Sequence, residues 1–491
     1  MIVKTDKTDF ESYLVDAANI KGDCEKVYFP ENENDICNIL KDANDKNQKV
    51  TVSAARTGLN GGSVPHDGIL VSLEKLNKVI SINSSSKTAV VQPGVTLSQF
   101  QDEISKSGLF YPPDPTETNC SIGGTVANNA SGARTFKYGS TRNFVEEITV
   151  VLPYGEKFSI SRNQNFANNG TIEIDFPAKP KLSLPIPNYK MPDVKHSAGY
   201  FVKPNMDLID LFIGSEGTLG IITEIKLRLL DLPKSVISMI IFFNDESDIF
   251  SFVNSARNES QKKNSIVDFR EIEFFDDNTL SLLKSNFQNI PSNSVGAVWI
   301  EQETDEENEE AAISEIEKLI GEHNGDLESI WFALNEKERK EFKAFRHQVP
   351  LKVNDIISGR GLVKVGTDTA VPNEKFKEFY EFTVRLIKNN NLDYVVYGHI
   401  GNSHLHFNML PKTESELNIC RELYGEICGK STELGGTISA EHGIGKLKTK
   451  YLLQMFGESN LLQMAKLKKI LDPNLVLNIG NMIEEKYLQM I

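Results

Sequence analysis

The stretch PPDPTETNCSIGGTVANNASGARTFKYGSTR, residues 112–142, says most about how this chain folds. It places Gly123, Gly124, Gly132 and Gly139 among serine, threonine and asparagine, with Arg134 and Arg142 within reach. Glycine removes the Cβ that keeps a ligand from the backbone, so the N–H groups of such a loop can converge on an anion. Small side chains and many donors therefore favour a backbone wrapped around a large polar cofactor, such as a pyrophosphate with its ring systems.

Two more loops, one before and one after this stretch, are also rich in glycine and hydrogen-bond donors. Arg56–Ser63 reads RTGLNGGS, and Leu211–Gly220 reads LFIGSEGTLG ahead of a predicted strand. The first of these, taken alone, is equally consistent with a tight turn between strands. Neither GxxxxGK[ST] nor GxGxxG occurs in the chain, which excludes a P-loop and a simple Rossmann site. Three such loops within residues 56–220 predict a dinucleotide cofactor on a different fold.

Composition and charge restrict the function classes. The 491 residues are 40% hydrophobic and 25% charged, a globular composition long enough for two to four domains. Lys plus Arg number 53 and Asp plus Glu 68, a net charge of −15. This excess of acid argues against a nucleic-acid partner, which needs a basic face, but leaves anionic small molecules open.

The chain also carries no sign of export or of a membrane span. No apolar run reaches the length of about 18 residues that a spanning helix needs. Asp6, Asp9 and Glu11 at the N-terminus argue against a signal peptide. The five cysteines contain no CxxC pair, which indicates a reducing compartment without an iron–sulfur or zinc-knuckle cluster. We expect a cytoplasmic protein, and leave open peripheral contact at the inner membrane face and a homodimer.

The order of patterns along the chain predicts an α/β or α+β opening followed by a second domain. Residues 1–26 read as helical, and residues 31–46 have apolar residues at amphipathic helix spacing. Five prolines between Pro177 and Pro192 mark 158–198 as a surface connection or insertion. Beyond a boundary near 232–235, strands alternate with helices, which predicts a sheet with helices on one face.

Four of the eight histidines lie close together in sequence. They are His399, His404, His406 and His442, and Glu441 adjoins the last. His404 and His406 share one face if the segment is a strand. Imidazoles with one carboxylate suit a zinc or manganese ion that keeps open coordination positions. For any single histidine, a buried hydrogen-bonded side chain is the alternative.

These motifs resemble a known flavoprotein superfamily. TGLNGGSVP, PPDPTE, IGGTVANNASGARTFKYGSTR and GSEGTLGIITEIKLRLL resemble the FAD-binding half of the p-cresol methylhydroxylase/vanillyl-alcohol oxidase superfamily. GHIGNSHLHFN, ISAEHGIG and LDPNLVLNIGN are similar to the C-terminal half of its FAD-linked D-2-hydroxyacid dehydrogenase branch, which includes D-lactate, glycolate and D-2-hydroxyglutarate dehydrogenases. The resemblance runs from about residue 26 to residue 482.

The resemblance implies an α+β architecture. After the N-terminal segment 1–26, a two-subdomain FAD-binding domain of the vanillyl-alcohol oxidase type covers 27–230, an α+β substrate or cap domain covers 231–430, and 431–491 returns to the flavin. FAD is expected without a covalent link. The residues expected to bind it are Thr57, Gly58, Asn60, Gly61, Gly62, Ser63, Pro113, Asp114, Thr116, Ser121, Gly123, Gly124, Thr125, Asn128, Asn129, Ser131, Gly132, Glu216, Gly217, Gly220, Ile221, Ile222 and Asn478.

The resemblance also implies a reaction. A D-2-hydroxy acid, first D-lactate and otherwise D-2-hydroxyglutarate or glycolate, would pass a hydride to the flavin, with His442 as the base and Arg346 holding the substrate carboxylate. His399, His406 and Glu441 would bind a divalent metal, zinc or manganese, that polarises the substrate. The electrons would leave to a quinone, a cytochrome or an electron-transfer flavoprotein.

The chain departs from the family at one motif. Where GHxGDGNxH is common, it has Asn402, Ser403 and His404, which leaves the substrate and the occupancy of the metal site open. TDTAVP, residues 367–372, is interpreted as structural, and Glu216 as an anchor of its loop. Two other functions remain: a superfamily flavoprotein acting on a lactone, a phenol or an ether-lipid precursor, and a metal-dependent hydrolase.

Overall fold

The described part of the first half of the chain builds two larger sheets, a hairpin and a short two-stranded sheet. The computed structural model describes residues 1–176 and 179–491. The strands of this half are β1 (Ile2–Lys4), β2 (Lys26–Phe29), β3 (Val50–Ser53), β4 (Ile69–Ser72), β5 (Val79–Asn83), β6 (Thr88–Val91), β7 (Leu109–Phe110), β8 (Val145–Val151), β9 (Lys157–Ser161), β10 (Thr171–Phe176), β11 (Lys179–Pro185), β12 (Ile221–Arg228) and β13 (Leu230–Asp231). Its helices are α1 (Glu33–Asp45), α2 (Leu97–Ser105), α3 (Ile122–Asn128), α4 (Thr135–Tyr138) and α5 (Leu208–Phe212).

The first of the two larger sheets packs against two smaller clusters of buried residues, whereas the second belongs mainly to the large core that continues into the second half of the chain. The first has the order β1-β2-β4-β3, with β2, β4 and β3 parallel and α1 connecting β2 to β3. The predicted amphipathic helix is confirmed as α1, which buries Ile36, Ile39 and Leu40 and begins where the Asn32 side chain accepts the N–H of Asp35. The second sheet is antiparallel, in the order β5-β6-β12-β8-β9.

The predicted helix over residues 1–26 is wrong. Ile2–Lys4 forms β1, which pairs antiparallel with β2, and two short 3₁₀ turns follow at Lys7–Asp9 and Glu11–Tyr13. The β-branched pair at positions 2 and 3 favours a strand. The Asp6 side chain then accepts the N–H of Thr8, which starts a turn instead of a continuous helix.

The predicted connection at 158–198 contains strands. It holds most of β9, and β10 pairs with β11 as an antiparallel hairpin. Ile172, Ile174 and Leu184 of that hairpin are buried in the main core, so the segment packs against the domain instead of running over its surface. Pro177 and Ala178 lie outside the described residues.

The second half contains one large sheet and a helical C-terminal region. Its strands are β14 (Ser235–Phe243), β15 (Phe269–Asp276), β16 (Gly296–Thr304), β17 (Trp331–Ala333), β18 (Val365–Gly366), β19 (Thr369–Ala370), β20 (Tyr394–Gly398) and β21 (His404–Met409). Its helices are α6 (Glu246–Gln261), α7 (Asp277–Leu283), α8 (Glu309–Glu322), α9 (Glu336–Gly359), α10 (Phe376–Asn389), α11 (Glu414–Glu433), α12 (Thr449–Phe456), α13 (Glu458–Leu471) and α14 (Glu485–Leu488). The described strands follow the order β17-β14-β16-β15-β20-β21-β18, and β19 also pairs with β21.

Helices cover both faces of this sheet, so the expectation of helices on one face is wrong. Residues of α6, α8 and α10 pack with one face, and residues of α7 and α9 pack with the other. The cause lies in β14, SVISMIIFF, which is buried at each position after its first. Because consecutive strand residues point to opposite faces, an unbroken apolar run needs cover on both.

The C-terminal region returns to the first half. Val50 of β3 donates its N–H to Val476 O and accepts the N–H of Asn478, which extends the parallel sheet. Lys468, buried on α13, pairs with buried Asp472 and donates to the carbonyl oxygens of Thr218 and Leu477. Among the described residues, no helix has both the length and the apolar character needed to cross a membrane.

Replacing Lys468 by methionine is expected to destabilise the protein strongly. Removing one partner of a buried ion pair leaves the other charge unpaired, at a cost of about 3–5 kcal/mol in the free energy of unfolding. Lys340→Met, which breaks an ion pair whose side chains are 71% and 75% exposed, is the control and should cost less than about 1 kcal/mol. Denaturant unfolding of the flavin-loaded variants measures both, and an equal loss of stability in the two would contradict the prediction.

Candidate active site

A cavity of about 290 Å³ lies where the two halves of the chain meet. Its walls come from the glycine-rich loops predicted to hold a cofactor and from the C-terminal region. Local sequence shapes one wall: the Ser121 hydroxyl accepts the N–H of Gly124 and starts α3. A Cβ on Gly123 would lie 2.4 Å from Cβ of Pro93, so only glycine lets this helix approach so closely.

The structure brings most of the predicted cofactor residues to this cavity. Gly61, Pro113, Asp114, Asn129 and Gly132 do not line it, and Gly132 instead packs tightly against the Asp114 carbonyl. The predicted residues that line the cavity are Thr57, Gly58, Asn60, Gly62, Ser63, Thr116, Ser121, Gly123, Gly124, Thr125, Asn128, Ser131, Glu216, Gly217, Gly220, Ile221, Ile222 and Asn478.

The cavity wall offers polar groups that the protein itself does not use. The hydroxyls of Ser53, Ser63 and Ser131 are buried and have no hydrogen-bond partner among the described residues. Buried hydroxyls are normally paired, so these three are ready to bond a polar ligand. Together with the glycine-lined backbone they fit the ribityl, pyrophosphate and ring oxygens of a dinucleotide such as FAD.

Glu216 joins the cavity wall to the C-terminal region. It has a φ of 54°, and its carboxylate accepts the N–H groups of Ile444 at 2.5 Å and Gly445 at 2.7 Å. Burial raises the pKa of this carboxyl to about 7, against the lowering effect of those two donors. Asn60 donates to the carbonyl oxygen of His442, so two loops of the first half fix the segment that carries His442.

The predicted metal ligands His399, His406 and Glu441 converge beside the cavity, and His404 joins them. His399, His404, His406 and Glu441 each offer one ligand atom, and these atoms lie within 4.8 Å of one another. Glu441 is central: one carboxylate oxygen is 3.3 Å from Nε2 of His399 and the other is 3.4 Å from Nε2 of His406. Two ligands of a tetrahedral zinc ion, each about 2.0–2.1 Å from it, lie about 3.3 Å apart, so this set fits a divalent ion.

His404 is the most enclosed of the histidines. It is fully buried, and Nδ1 lies 4.0 Å from Glu441. Its Nε2 lies 3.2 Å from Asp368 Oδ1 but outside hydrogen-bond geometry. Burial lowers the pKa of His404 to about 3, so the ring is neutral at physiological pH. Burial likewise lowers the pKa of His406.

Lys195 is a residue of the cluster that the sequence did not reveal. Its side chain is 2% exposed, and Nζ lies 2.9 Å from Glu441 Oε2 and 3.3 Å from Gly132 O. Burial raises the pKa of Glu441, but Lys195 and the neighbouring imidazoles outweigh it and hold that pKa well below its usual range. Glu441 is therefore a carboxylate, the form that binds a metal.

Glu273 connects Arg346 to the cluster. Its carboxylate binds Nδ1 of His399 and lies 3.2 Å from Nε of Arg346, whose guanidinium stacks on Tyr397. Burial raises the pKa of Glu273, but the charges of His399 and Arg346 bring that pKa down to about 2. A signal was present in the sequence: Glu271 and Glu273 alternate with apolar residues in FREIEFFD, and a carboxylate in a buried strand needs a partner.

Asp368 is the third carboxylate of the cluster, and sequence reasoning missed it because TDTAVP was interpreted as structural. It is 1% exposed and lies 3.3 Å from Nδ1 of His442 and 2.7 Å from Nζ of Lys448. It also accepts the backbone N–H groups of Glu441 and His442. Burial raises the pKa of Asp368, but His442 and Lys448 outweigh it and hold that pKa well below the usual range.

Two matches to known families cover most of the chain. Residues 24–161 match the FAD binding domain, and residues 232–482 match the C-terminal domain of FAD linked oxidases. The second match alone spans more than half of the 491 residues. The chain belongs to the FAD-linked oxidase family. The predicted cofactor FAD is confirmed by these matches.

The curated relatives of this FAD-linked oxidase include several dehydrogenases of 2-hydroxy acids. A D-lactate dehydrogenase of Anaerostipes hadrus is 31% identical over 91% of this chain and 86% of that protein. A D-2-hydroxyglutarate dehydrogenase of Xanthomonas citri pv. viticola is 29% identical over 93% of this chain and 89% of that protein. The resemblance to this branch is confirmed, and the chain is an FAD-linked oxidoreductase.

Solved structures confirm the predicted α+β fold. A substrate-bound p-cresol methylhydroxylase superposes on this FAD-linked oxidase with a TM-score of 0.71 over 99% of this chain and 94% of that one. The sequence identity is 14%, so this likeness concerns the fold alone. It agrees with the predicted vanillyl-alcohol oxidase architecture.

Replacing Ser131 by alanine is expected to weaken FAD binding about tenfold without destabilising the apoprotein. The hydroxyl has no partner within the protein, so its loss removes a bond worth about 1.4 kcal/mol only when the ligand is present. Ser72→Ala is the matched control, because the Ser72 hydroxyl is equally buried and unpartnered but lies outside the cavity. Flavin fluorescence titration of the apoprotein measures both dissociation constants, and equal effects in the two variants would refute the prediction.

Proposed function

We propose that this chain oxidises a D-2-hydroxy acid to the 2-oxo acid with FAD as the hydride acceptor, D-lactate being the first candidate. One observation carries the proposal: Glu441 and His442 belong both to the wall of the cofactor cavity and to the histidine–carboxylate cluster. A small molecule held by that cluster therefore lies against the cofactor cavity. The names of the relatives support the same substrate class.

The cluster suits a hydroxy acid that chelates a metal through its hydroxyl and carboxylate oxygens. We propose His399, His406 and Glu441 as ligands of a divalent ion, zinc before manganese. When bound, FAD supplies a two-electron acceptor and the metal a Lewis acid. The buried position of the cluster excludes bulk water and strengthens each electrostatic contact to the substrate.

His442 is proposed as the base that takes the hydroxyl proton. Asp368 faces its Nδ1 at 3.3 Å, which leaves Nε2, 3.6 Å from Glu441, on the side of the cluster. A carboxylate behind one nitrogen holds the imidazole in the tautomer whose other nitrogen is free to accept a proton. The same carboxylate stabilises the imidazolium that results.

Arg346 is proposed to hold the substrate carboxylate. Its Nε is occupied by Glu273, which fixes the plane of the guanidinium above Tyr397. Lys364 lies close enough to Arg346 for the two cations to repel, and this repulsion adds to burial in lowering the pKa of the Lys364 ammonium group. A planar fork beside a second cation favours an organic anion over a neutral alcohol.

The two other functions are less well supported. A phenol or lactone needs no divalent ion beside the flavin, so a flavoprotein for such substrates leaves the cluster without a purpose. A metal-dependent hydrolase would have no use for the FAD binding domain. We propose a quinone, a cytochrome or an electron-transfer flavoprotein as the electron acceptor.

The proposal is tested by the anaerobic visible spectrum of the purified protein during titration with each enantiomer of lactate and of 2-hydroxyglutarate, and with glycolate. We expect the D-enantiomers and not the L-enantiomers to bleach the flavin, with D-lactate effective at the lowest concentration. The L-enantiomers are the matched controls. A yellow protein that none of these acids bleaches would refute the substrate class, and a protein that takes up no FAD would refute the proposal as a whole.

Replacing His442 by alanine is expected to retain the flavin and to slow its reduction by the D-acid at least about 10²-fold, the usual scale for loss of a general base. His323→Ala is the control, since His323 ends α8 and pairs with Ser251 outside the cluster. Stopped-flow absorbance under anaerobic conditions measures the rate of reduction. A near-normal rate in His442→Ala would remove His442 from the mechanism.

A further inference from the structure

We propose that His404 is a third imidazole ligand of the divalent ion, so that the site presents three nitrogen donors and one carboxylate and selects a late first-row metal such as zinc over manganese. The inference rests on the metal site of the proposed function and extends it to a residue where the family motif commonly has asparagine.

The first argument is that the inward nitrogen of His404 lacks a partner. The ring is fully buried, Nδ1 has no hydrogen-bond partner among the described residues, and Nε2 lies 3.2 Å from Asp368 Oδ1 but outside hydrogen-bond geometry. A neutral imidazole carries one N–H donor and one acceptor nitrogen. Buried polar groups are normally paired, so the unpartnered Nδ1 of His404 is free to bind a ligand.

The second argument is that the three rings share one arrangement. His399 turns Nδ1 to Glu273 and Nε2 to Glu441, and His406 turns Nδ1 to the carbonyl oxygen of Thr367 and Nε2 to Glu441.

His404 repeats this arrangement with its nitrogens exchanged. Nε2 lies 3.2 Å from Asp368 and Nδ1 faces Glu441 at 4.0 Å. In proteins, a metal-binding histidine usually donates one ring N–H to an acceptor and directs its other nitrogen toward the metal. His404 thus has the supporting acceptor of a ligand as well as its direction.

The third argument concerns charge. Each carboxylate around the rings already faces a cation: Glu441 faces Lys195, Glu273 faces Arg346, and Asp368 faces Lys448. The net charge available to attract a metal is therefore small. Neutral imidazoles must supply most of the affinity, and imidazole suits zinc or cobalt, whereas manganese and magnesium suit oxygen donors.

The test measures metal affinity on flavin-loaded protein from which divalent ions have been removed. Isothermal titration with Zn²⁺ should show His404→Asn binding at least about 100-fold more weakly than the unaltered protein. The affinity for Mn²⁺ should change by less than about tenfold, because manganese prefers oxygen donors and the amide oxygen of asparagine can replace the imidazole nitrogen. His323→Asn is the matched control and should leave both affinities unchanged. Flavin content and thermal midpoint report whether each variant is folded.

A second measurement does not depend on any variant folding. X-ray absorption at the zinc edge of the loaded, unaltered protein should require three imidazoles per ion. Two imidazoles, or an unchanged Zn²⁺ affinity in His404→Asn, would overturn this inference and leave the proposed function intact. A flavin-loaded protein that binds no Zn²⁺ would overturn the inference and the metal part of the proposed function together, while bleaching by D-acids would still test the rest.

Discussion

One buried carboxylate, that of Glu216, holds the two halves of the site together. It accepts the N–H groups of Ile444 and Gly445, which are separated from it by 228 and 229 residues in sequence. In the same loop, the carbonyl oxygen of Glu216 accepts a hydrogen bond from the Asn478 side chain. Because a buried carboxylate is unfavourable without donors, this loop and the C-terminal region are stable only against each other. That contact brings His442 and Glu441 to the wall of the flavin cavity.

The chemistry of the site follows from a second constraint, the cost of burying charge. Glu441, Glu273 and Asp368 each face a lysine or an arginine, and the pKa of each is lowered by cations that outweigh the effect of burial. Paired in this way, the carboxylates stay ionised in a dry environment. They orient the imidazoles, of which His404 and His406 have pKa values lowered by burial. In the proposed reaction a base would take the proton from the hydroxyl oxygen, a Lewis acid would polarise that oxygen, and the hydride would leave the carbon. This arrangement could supply both the base and the metal ligands from one cluster.

The fold could be predicted where local pattern and tertiary environment agree. The helix at Glu33–Asp45 has an apolar stripe and an asparagine cap, and the strand at Ser235–Phe243 has an unbroken apolar run. Prediction failed where only part of the hydrophobic pattern was interpreted. That same run required helices on both faces of the sheet, and the β-branched start of the chain favoured a strand. The segment 158–198 was judged by its prolines, although the alternating residues Ile172 and Ile174 are typical of a strand with one buried face.

The sequence by itself determined the family, the cofactor loops and the presence of a histidine–carboxylate cluster between residues 399 and 442. These signals are local, because glycine-rich turns and closely spaced ligands are written in consecutive residues. Only the tertiary structure decided what supports them: Glu273 lies 126 positions from His399, and Lys195 lies 246 positions from Glu441. Two charged residues so far apart in sequence form no periodic pattern and no fixed motif by which their pairing could be predicted. Such an ion pair forms because burial leaves each charge no other partner, and that condition exists only once the chain has folded.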